Sequence, residues 1–136
     1  MHLALKSDQM RRVRTRGTNI ERILRKALST RKIRYRLNVT ALPGTPDILI
    51  PRLKIALFAN GCFWHGHDCR KGQSLPKTNR AFWNDKISAT VARDVRDTAA
   101  LMDVGFKVVV VWECEIRNVA SIAETIAEQY RAGANR

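Results

Sequence analysis

The stretch Asp47-Ile48-Leu49-Ile50-Pro51-Arg52-Leu53-Lys54-Ile55-Ala56-Leu57-Phe58-Ala59-Asn60-Gly61 decides the fold. Two short apolar runs, Asp47 to Ile50 and Lys54 to Ala59, are separated by Pro51-Arg52. This arrangement predicts a hairpin whose second strand is central and buried. Asn60-Gly61 is turn chemistry and ends that strand. Asp47 is a poor strand former at the mouth of the hairpin, and a carboxylate there marks either a turn or a ligand.

Upstream, Leu42-Pro43-Gly44-Thr45-Pro46 is a strong turn signal, and Ile33 to Val39 alternates charged and bulky residues as a strand does. Thr18-Asn19-Ile20-Glu21 has capping-box form. Ile20, Ile23, Leu24, Ala27 and Leu28 follow at helical spacing, which predicts a helix from Asn19 to Thr30 with an Arg/Lys-rich outer face. Downstream, Lys71 to Asn79 is a polar loop with Gly72, Ser74 and Pro76. The apolar positions Trp83, Ile87, Val91, Val95 and Met102 then predict a long helix from Asn79 to Val104, with Gly105 as its C-terminal cap. Lys107 to Trp112 reads as a second buried strand, and Asn118 to Arg131 as a final helix carrying Val119, Ile122, Ala123, Ile126 and Tyr130 on one face. The order α, strands, α, β, α implies an α/β fold with a mixed central sheet flanked by helices. The strand ends near Asp47, Asn60 and Glu113 are then placed to converge on a site.

A chain of 136 residues can bury one core without disulfides, so a single domain is expected. No run is long and apolar enough for a membrane span, and no apolar leader follows Met1, so a cytoplasmic, membrane-free protein is expected. Lys and Arg number 25 against 12 Asp and Glu, a formal charge of +13 that points to a polyanionic partner, nucleic acid first. Residues 1 to 36 hold nearly half of the basic side chains but only Asp8 and Glu21 of the acidic ones. A solvated helix face or a basic tail would give the same charge run, so charge by itself does not assign a nucleic-acid site.

The three cysteines cannot all pair with one another, and in a reducing compartment thiolate or metal chemistry outweighs a disulfide framework. Asn60-Gly61-Cys62-Phe63-Trp64-His65-Gly66-His67-Asp68-Cys69 packs two cysteines and two histidines just past a strand. Cys62, His67 and Cys69 can supply thiolate and imidazole to one tetrahedral Zn²⁺, with Cys114 closing a four-ligand, hence structural, set. The plainer reading of Cys62 and Cys114 as small buried residues leaves this density unexplained. His65 stays outside that shell as a candidate general base. Phosphodiester cleavage with Mg²⁺ needs one or two carboxylates and a carbonyl, which Asp47 and the main-chain oxygen of Ala59 or Asn60 can provide.

Leu42 to Asp47, Asn60 to His65, Ala92-Arg93-Asp94-Val95-Arg96-Asp97 and Val111-Trp112-Glu113-Cys114 resemble the very-short-patch repair endonucleases, over roughly Ser7 to Arg117. That resemblance implies a restriction-endonuclease-like core with a structural zinc site, and strand nicking 5′ to the thymine of a T:G mismatch in double-stranded DNA. It implies Asp47 as the Mg²⁺ ligand together with the Ala59 carbonyl, His65 as general base, Asp94 as the carboxylate orienting His65, and Glu21 as a further acidic contributor. It places zinc on Cys62, His67, Cys69 and Cys114, and makes Phe63, Trp64, Trp83 and Met10 wedges that enter the base stack. Residues 1–17 then form a basic DNA-contacting arm and 18–136 a monomeric nuclease domain, with a mismatch-repair protein or a cytosine methyltransferase as a further partner. Glu21 as a mere capping residue, Asp94 as a solvated helix residue and Trp83 as helix packing are the plain alternatives. The family commonly has threonine and histidine where this chain has Ala59 and Asn60. The same acidic-and-histidine pattern also resembles the wider EDxHD nuclease group, so a different DNA target, or a catalytically silent zinc-stabilised DNA-binding module, are the alternative functions.

Overall fold

A computed structural model describes residues 19–62 and 78–134. Their elements are α1 (Asn19–Thr30), β1 (Arg36–Leu37), β2 (Ile48–Ile50), a 3-10 turn (Pro51–Leu53), β3 (Ile55–Asn60), α2 (Arg80–Asp103), β4 (Lys107–Trp112), a 3-10 stretch (Glu113–Asn118) and α3 (Val119–Ala134). The strands form one mixed sheet in the order β1-β2-β3-β4. β2 and β3 pair antiparallel, Ile48 opposite Leu57 and Ile50 opposite Ile55. β3 and β4 pair parallel, from Ile55 opposite Lys107 to Asn60 opposite Trp112. The hairpin and the central, buried second strand expected from the sequence are present.

Side chains alternate across the sheet, as a period of two requires. Ile48, Ile50, Ile55, Leu57 and Val111 face one side, where α1 covers them with Ile20, Leu24 and Leu28, and α3 with Val119, Ala123, Ile126 and Tyr130. Leu24 and Leu28 have no exposed surface; burial of a leucine side chain contributes about 1.5–3 kcal/mol relative to exposure. Leu49 and Ala56 face the other side, with Leu101 of α2 and the half-buried Val39, Leu42, Phe58, Phe106 and Val108. The result is three layers, two helices over one face and α2 over the other. Arg31, the residue after α1, bonds Glu124 of α3 at 2.9 Å, and Arg131 bonds the same carboxylate from within α3 at 3.1 Å.

Three expectations are adjusted. Of the strand expected over Ile33 to Val39, only Arg36–Leu37 pairs with β2, because Asn38 turns the backbone to φ 48°. α3 runs on to Ala134; Val119, Ala123, Ile126 and Tyr130 of the expected face are buried, Ile122 is half-buried, and Ala127 joins them in the core. In α2 the buried residues are Trp83, Ile87 and Leu101, while Val91, Val95 and Met102 are exposed. A ladder with a step of four drifts about 40° per step around a helix of about 3.6 residues per turn. By Val95 that ladder has rotated off the sheet, and the sheet-facing line runs instead through Trp83, Ile87, Thr90, Asp94, Asp97 and Leu101. Gly105 caps the helix as expected: at φ 92° it lets Phe106 N–H reach the Leu101 carbonyl at 3.0 Å.

Candidate active site

The sheet ends that gather the candidate residues are the start of β2 and the carboxyl ends of β3 and β4. The loop between β1 and β2 is closed by main-chain bonds, Asn38 N–H to Asp47 O at 3.0 Å, Val39 N–H to Pro46 O at 3.2 Å and Thr45 N–H to Leu42 O at 3.1 Å. By the β2–β3 register, Pro46 would face Ala59, but its carbonyl is engaged with Val39 and sheet pairing stops there. The half-buried Asp47 takes over: its Oδ2 accepts the Ala59 N–H at 2.8 Å. In an extended strand the N–H and C=O of one residue leave the same edge. The Ala59 carbonyl therefore leaves β3 on the edge that the Asp47 carboxylate occupies, a pair of oxygen donors of the kind a hard divalent cation takes. The buried Oδ1 of Asn38, whose N–H already holds Asp47, has no hydrogen-bond partner among the described residues. Because the donor at position 59 is main-chain, alanine there keeps it. Asn60, the last residue of β3, is buried at 7% exposure.

α2 brings Asp94 to the same end. Asp94 and Asp97 are half-buried on the sheet-facing line, one turn apart. The turn ahead of Asp47 lies directly on that line: a Cβ added at Gly44, where φ is +76°, would stand 3.0 Å from the Asp97 Cβ and 3.3 Å from Phe58 Cε1. Asp94 is half-buried rather than fully solvated. Glu21 approaches from the opposite layer. It sits in the first turn of α1 at 2% exposure, buried beyond what a capping role requires, and a carboxylate so buried must be partnered. The fold thus places Asp47 at the sheet end, Asp94 over one face and Glu21 in the layer over the other.

Cys62 and Cys114 each lie two residues past the paired positions Asn60 and Trp112, so the parallel register delivers both to the same end of the sheet. Cys62 is buried and Cys114 exposed. The Trp112 N–H donates to Glu115 Oε1 at 3.1 Å, which fixes the turn that carries Cys114 out of the strand. Among the described residues no group of three or more potential ligands could hold a metal ion, and no zinc centre is defined by them. His67 and Cys69, the other two expected zinc ligands, lie outside the described residues, as do His65, Phe63, Trp64 and Met10.

Trp83 is buried at 6% exposure, its ring edge-on to Phe82 at 5.2 Å, and Phe82 is the half-exposed member of the pair. The Lys86 ammonium lies 5.9 Å from the centre of the Phe82 ring. Sequence periodicity marked Trp83 and passed over Phe82, since adjacent aromatics give no signal of which one turns outward. No described helix is long and apolar enough to cross a membrane.

The family model for the DNA mismatch endonuclease Vsr matches residues 2–71. That span contains Glu21, Asp47, Ala59, Cys62, His65, His67 and Cys69, while Asp94 and Cys114 fall beyond it. The chain is similar to the type II nicking enzyme V.XorIIP of Xanthomonas oryzae pv. oryzae, 46% identical over 113 residues that cover 83% of this chain and 82% of the relative. It is similar to the type II nicking enzyme V.NmeAIP of Neisseria meningitidis serogroup A, at 40% over 121 residues, 89% of this chain and 86% of the relative. It is also similar to the DNA mismatch endonuclease Vsr of Escherichia coli, at 39% over 114 residues, 84% of this chain and 72% of that protein.

Proposed function

This chain belongs to the Vsr DNA mismatch endonuclease family, and from that membership we propose that it is a DNA endonuclease that nicks one strand 5′ to the thymine of a T:G mismatch. The observation that carries the catalytic assignment is the seat of Asp47, held on the Ala59 peptide with the Ala59 carbonyl leaving the same strand edge.

Asp47 and the Ala59 carbonyl would hold Mg²⁺, which when bound supplies electrostatic stabilisation to the charge developing on the phosphate. His65 takes the proton of the attacking water as the new P–O bond forms and the bond to the leaving sugar oxygen breaks. Asp94 accepts from the other ring nitrogen of His65 and keeps it in the tautomer that can act as base. Glu21 adds negative charge from the α1 side. Cys62, His67, Cys69 and Cys114 hold a structural Zn²⁺, a reading supported by the delivery of Cys62 and Cys114 to one sheet end. Phe63, Trp64 and Met10 act on the base stack; Trp83, buried at 6% exposure, joins them only by leaving its packing, and Phe82 is the ring of the Phe82–Trp83 pair that reaches solvent. The net charge of +13 supplies the salt-sensitive attraction to the duplex. Residues 1–17 are assigned to backbone contacts, and a mismatch-repair protein or a cytosine methyltransferase is the partner expected beside the enzyme.

One comparative assay tests the reading. Matched, T:G-mismatched and single-stranded oligonucleotides are incubated with the protein and Mg²⁺, beside Asp47→Ala and His65→Ala. Nicking of the T:G duplex only, lost in both variants with zinc content unchanged, is the expected result. Cutting of all duplexes assigns a nuclease with a different target, and tight binding without nicking assigns a silent DNA-binding module. Undiminished cutting by Asp47→Ala overturns the metal-ligand assignment.

A further inference from the structure

The residues assigned to catalysis come from two bodies, Asp47 on the sheet and Asp94 on α2, and something must set the distance between them. Three residues next to those assigned groups in sequence meet at one point: Gly44, three residues before Asp47; Phe58, one before Ala59; and Asp97, one helical turn after Asp94. A Cβ built on Gly44 would stand 3.0 Å from the Asp97 Cβ, 3.3 Å from its Oδ2 and 3.3 Å from Phe58 Cε1. Contacts of 3.0 to 3.3 Å are tighter than most real Cβ contacts, so loop or helix would have to give by a few tenths of an ångström to admit a side chain at Gly44. Gly105 also has a positive φ, +92°, yet a Cβ there would meet nothing within 4 Å. One glycine is required by backbone conformation, the other by conformation and contact together.

The loop carrying Gly44 can transmit position, since it is closed by the three main-chain bonds between residues 38 and 47 and anchored by the buried Pro46. Asp97 occupies a sheet-facing position where an apolar residue would otherwise pack. We infer that Asp97, seated against Gly44, is a positioning residue for the nicking reaction, fixing the spacing between the Asp47 strand and the Asp94 helix. This rests on the assignment of Asp94 to catalysis.

Misplacement of a catalytic group by about 1 Å can cost on the order of 10²-fold in rate, and a methyl group inserted at a 3.0 Å contact displaces loop or helix by part of that. Steady-state nicking of a T:G duplex by the full chain is measured for Gly44→Ala, Gly105→Ala, Asp94→Asn, Asp97→Asn and Asp97→Ala, with melting temperature recorded for each. The expected result is a roughly tenfold fall in kcat for Gly44→Ala with KM within about twofold. Gly105→Ala, with a similar backbone strain on open ground, keeps kcat. Asp97→Asn keeps the shape seated against Gly44 and keeps kcat, whereas Asp97→Ala empties that contact and lowers kcat with KM within about twofold. Equal kcat for Gly44→Ala and Gly105→Ala, or parent kcat in Asp97→Ala, overturns the positioning role. If Asp94→Asn nicks as fast as the parent, the catalytic reading itself has failed; loss in Asp94→Asn with none in Gly44→Ala isolates the failure to Asp97 and Gly44.

Discussion

Replacement of Asp47 by asparagine and by alanine separates two jobs done by one carboxylate. The Oδ2 of Asp47 accepts the Ala59 N–H at 2.8 Å, at a point where the sheet has no carbonyl to offer. A hydrogen bond to a charged acceptor contributes about 1.5–3 kcal/mol when buried. Asp47 is only half-buried, so water can replace part of it and the loss in Asp47→Ala is set at about 1–2 kcal/mol. For a chain of this length a destabilisation of 1 kcal/mol lowers Tm by roughly 3–5 °C, so Asp47→Ala melts about 3–10 °C below the parent. Asparagine keeps an oxygen acceptor at the same place and melts within about 2 °C of the parent, the residual being the lost charge assistance. Nicking behaves differently: both variants lose the carboxylate proposed for Mg²⁺, so both fall by at least about 10²-fold, a loss of roughly 2.7 kcal/mol in transition-state stabilisation. Thermal melting followed by circular dichroism, beside single-turnover nicking at saturating Mg²⁺, gives the two numbers for each variant. Equal destabilisation of both variants would refute the structural half of the argument. Full nicking by Asp47→Asn would refute the catalytic half.

Three other outcomes are expected. Chelation of bound metal, or Cys62→Ser or Cys114→Ser, lowers zinc content by atomic absorption and lowers Tm in parallel; a Tm that stays put after verified zinc removal excludes a structural metal. Leu24→Ala, at a position with no exposed surface, costs about 2–5 kcal/mol in urea denaturation, whereas Val95→Ser on the exposed side of α2 stays within about 0.5 kcal/mol of the parent. The carboxyl of Glu124 is held below its ordinary value by its hydrogen bonds to Arg31 and then Arg131. A lowered folded value gives stability that is present above the unfolded carboxylate range and lost as pH falls through the folded value. The Tm difference between Glu124→Gln and the parent is therefore small at neutral pH, vanishes in acid, and vanishes in high salt because the pair is exposed.

The hairpin, the central strand β3, the three helices and a mixed sheet flanked by helices were legible in the sequence because each rests on a local signal. Pro51-Arg52 turns the chain, Gly105 stops α2, and Ile20, Leu24 and Leu28 repeat at helical spacing. The sheet-facing side of α2 was not legible, and the reason lies in the site. Asp94 and Asp97 stand on the line where apolar residues usually reveal the buried face, so periodicity tracked Val91, Val95 and Met102 into solvent instead. Such a conflict between the apolar stripe and the packing stripe accords with the role proposed for Asp94, since local sequence rules are often broken at functional sites. Asp47 was legible as an anomaly at a strand start; its bond to Ala59 was not, since that depends on where the β2–β3 pairing stops. Phe82 and Trp83 show the same limit, as adjacent aromatics exchange roles only in three dimensions.

The parallel pairing of β3 with β4 also governs how this molecule comes into being. β2 and β3 are neighbours along the chain and can zip up as soon as both exist, in microseconds. β4 cannot join until roughly fifty intervening residues, α2 among them, have been folded back, and that closure entropy is met before any native contact returns it. Ala59 and Cys62 therefore spend the early life of the chain beside an open sheet edge, a site waiting for its second half. The Zn²⁺ proposed for Cys62 and Cys114 would clasp that long loop shut, and would then shorten the time for which the edge of β3 stands open to other chains.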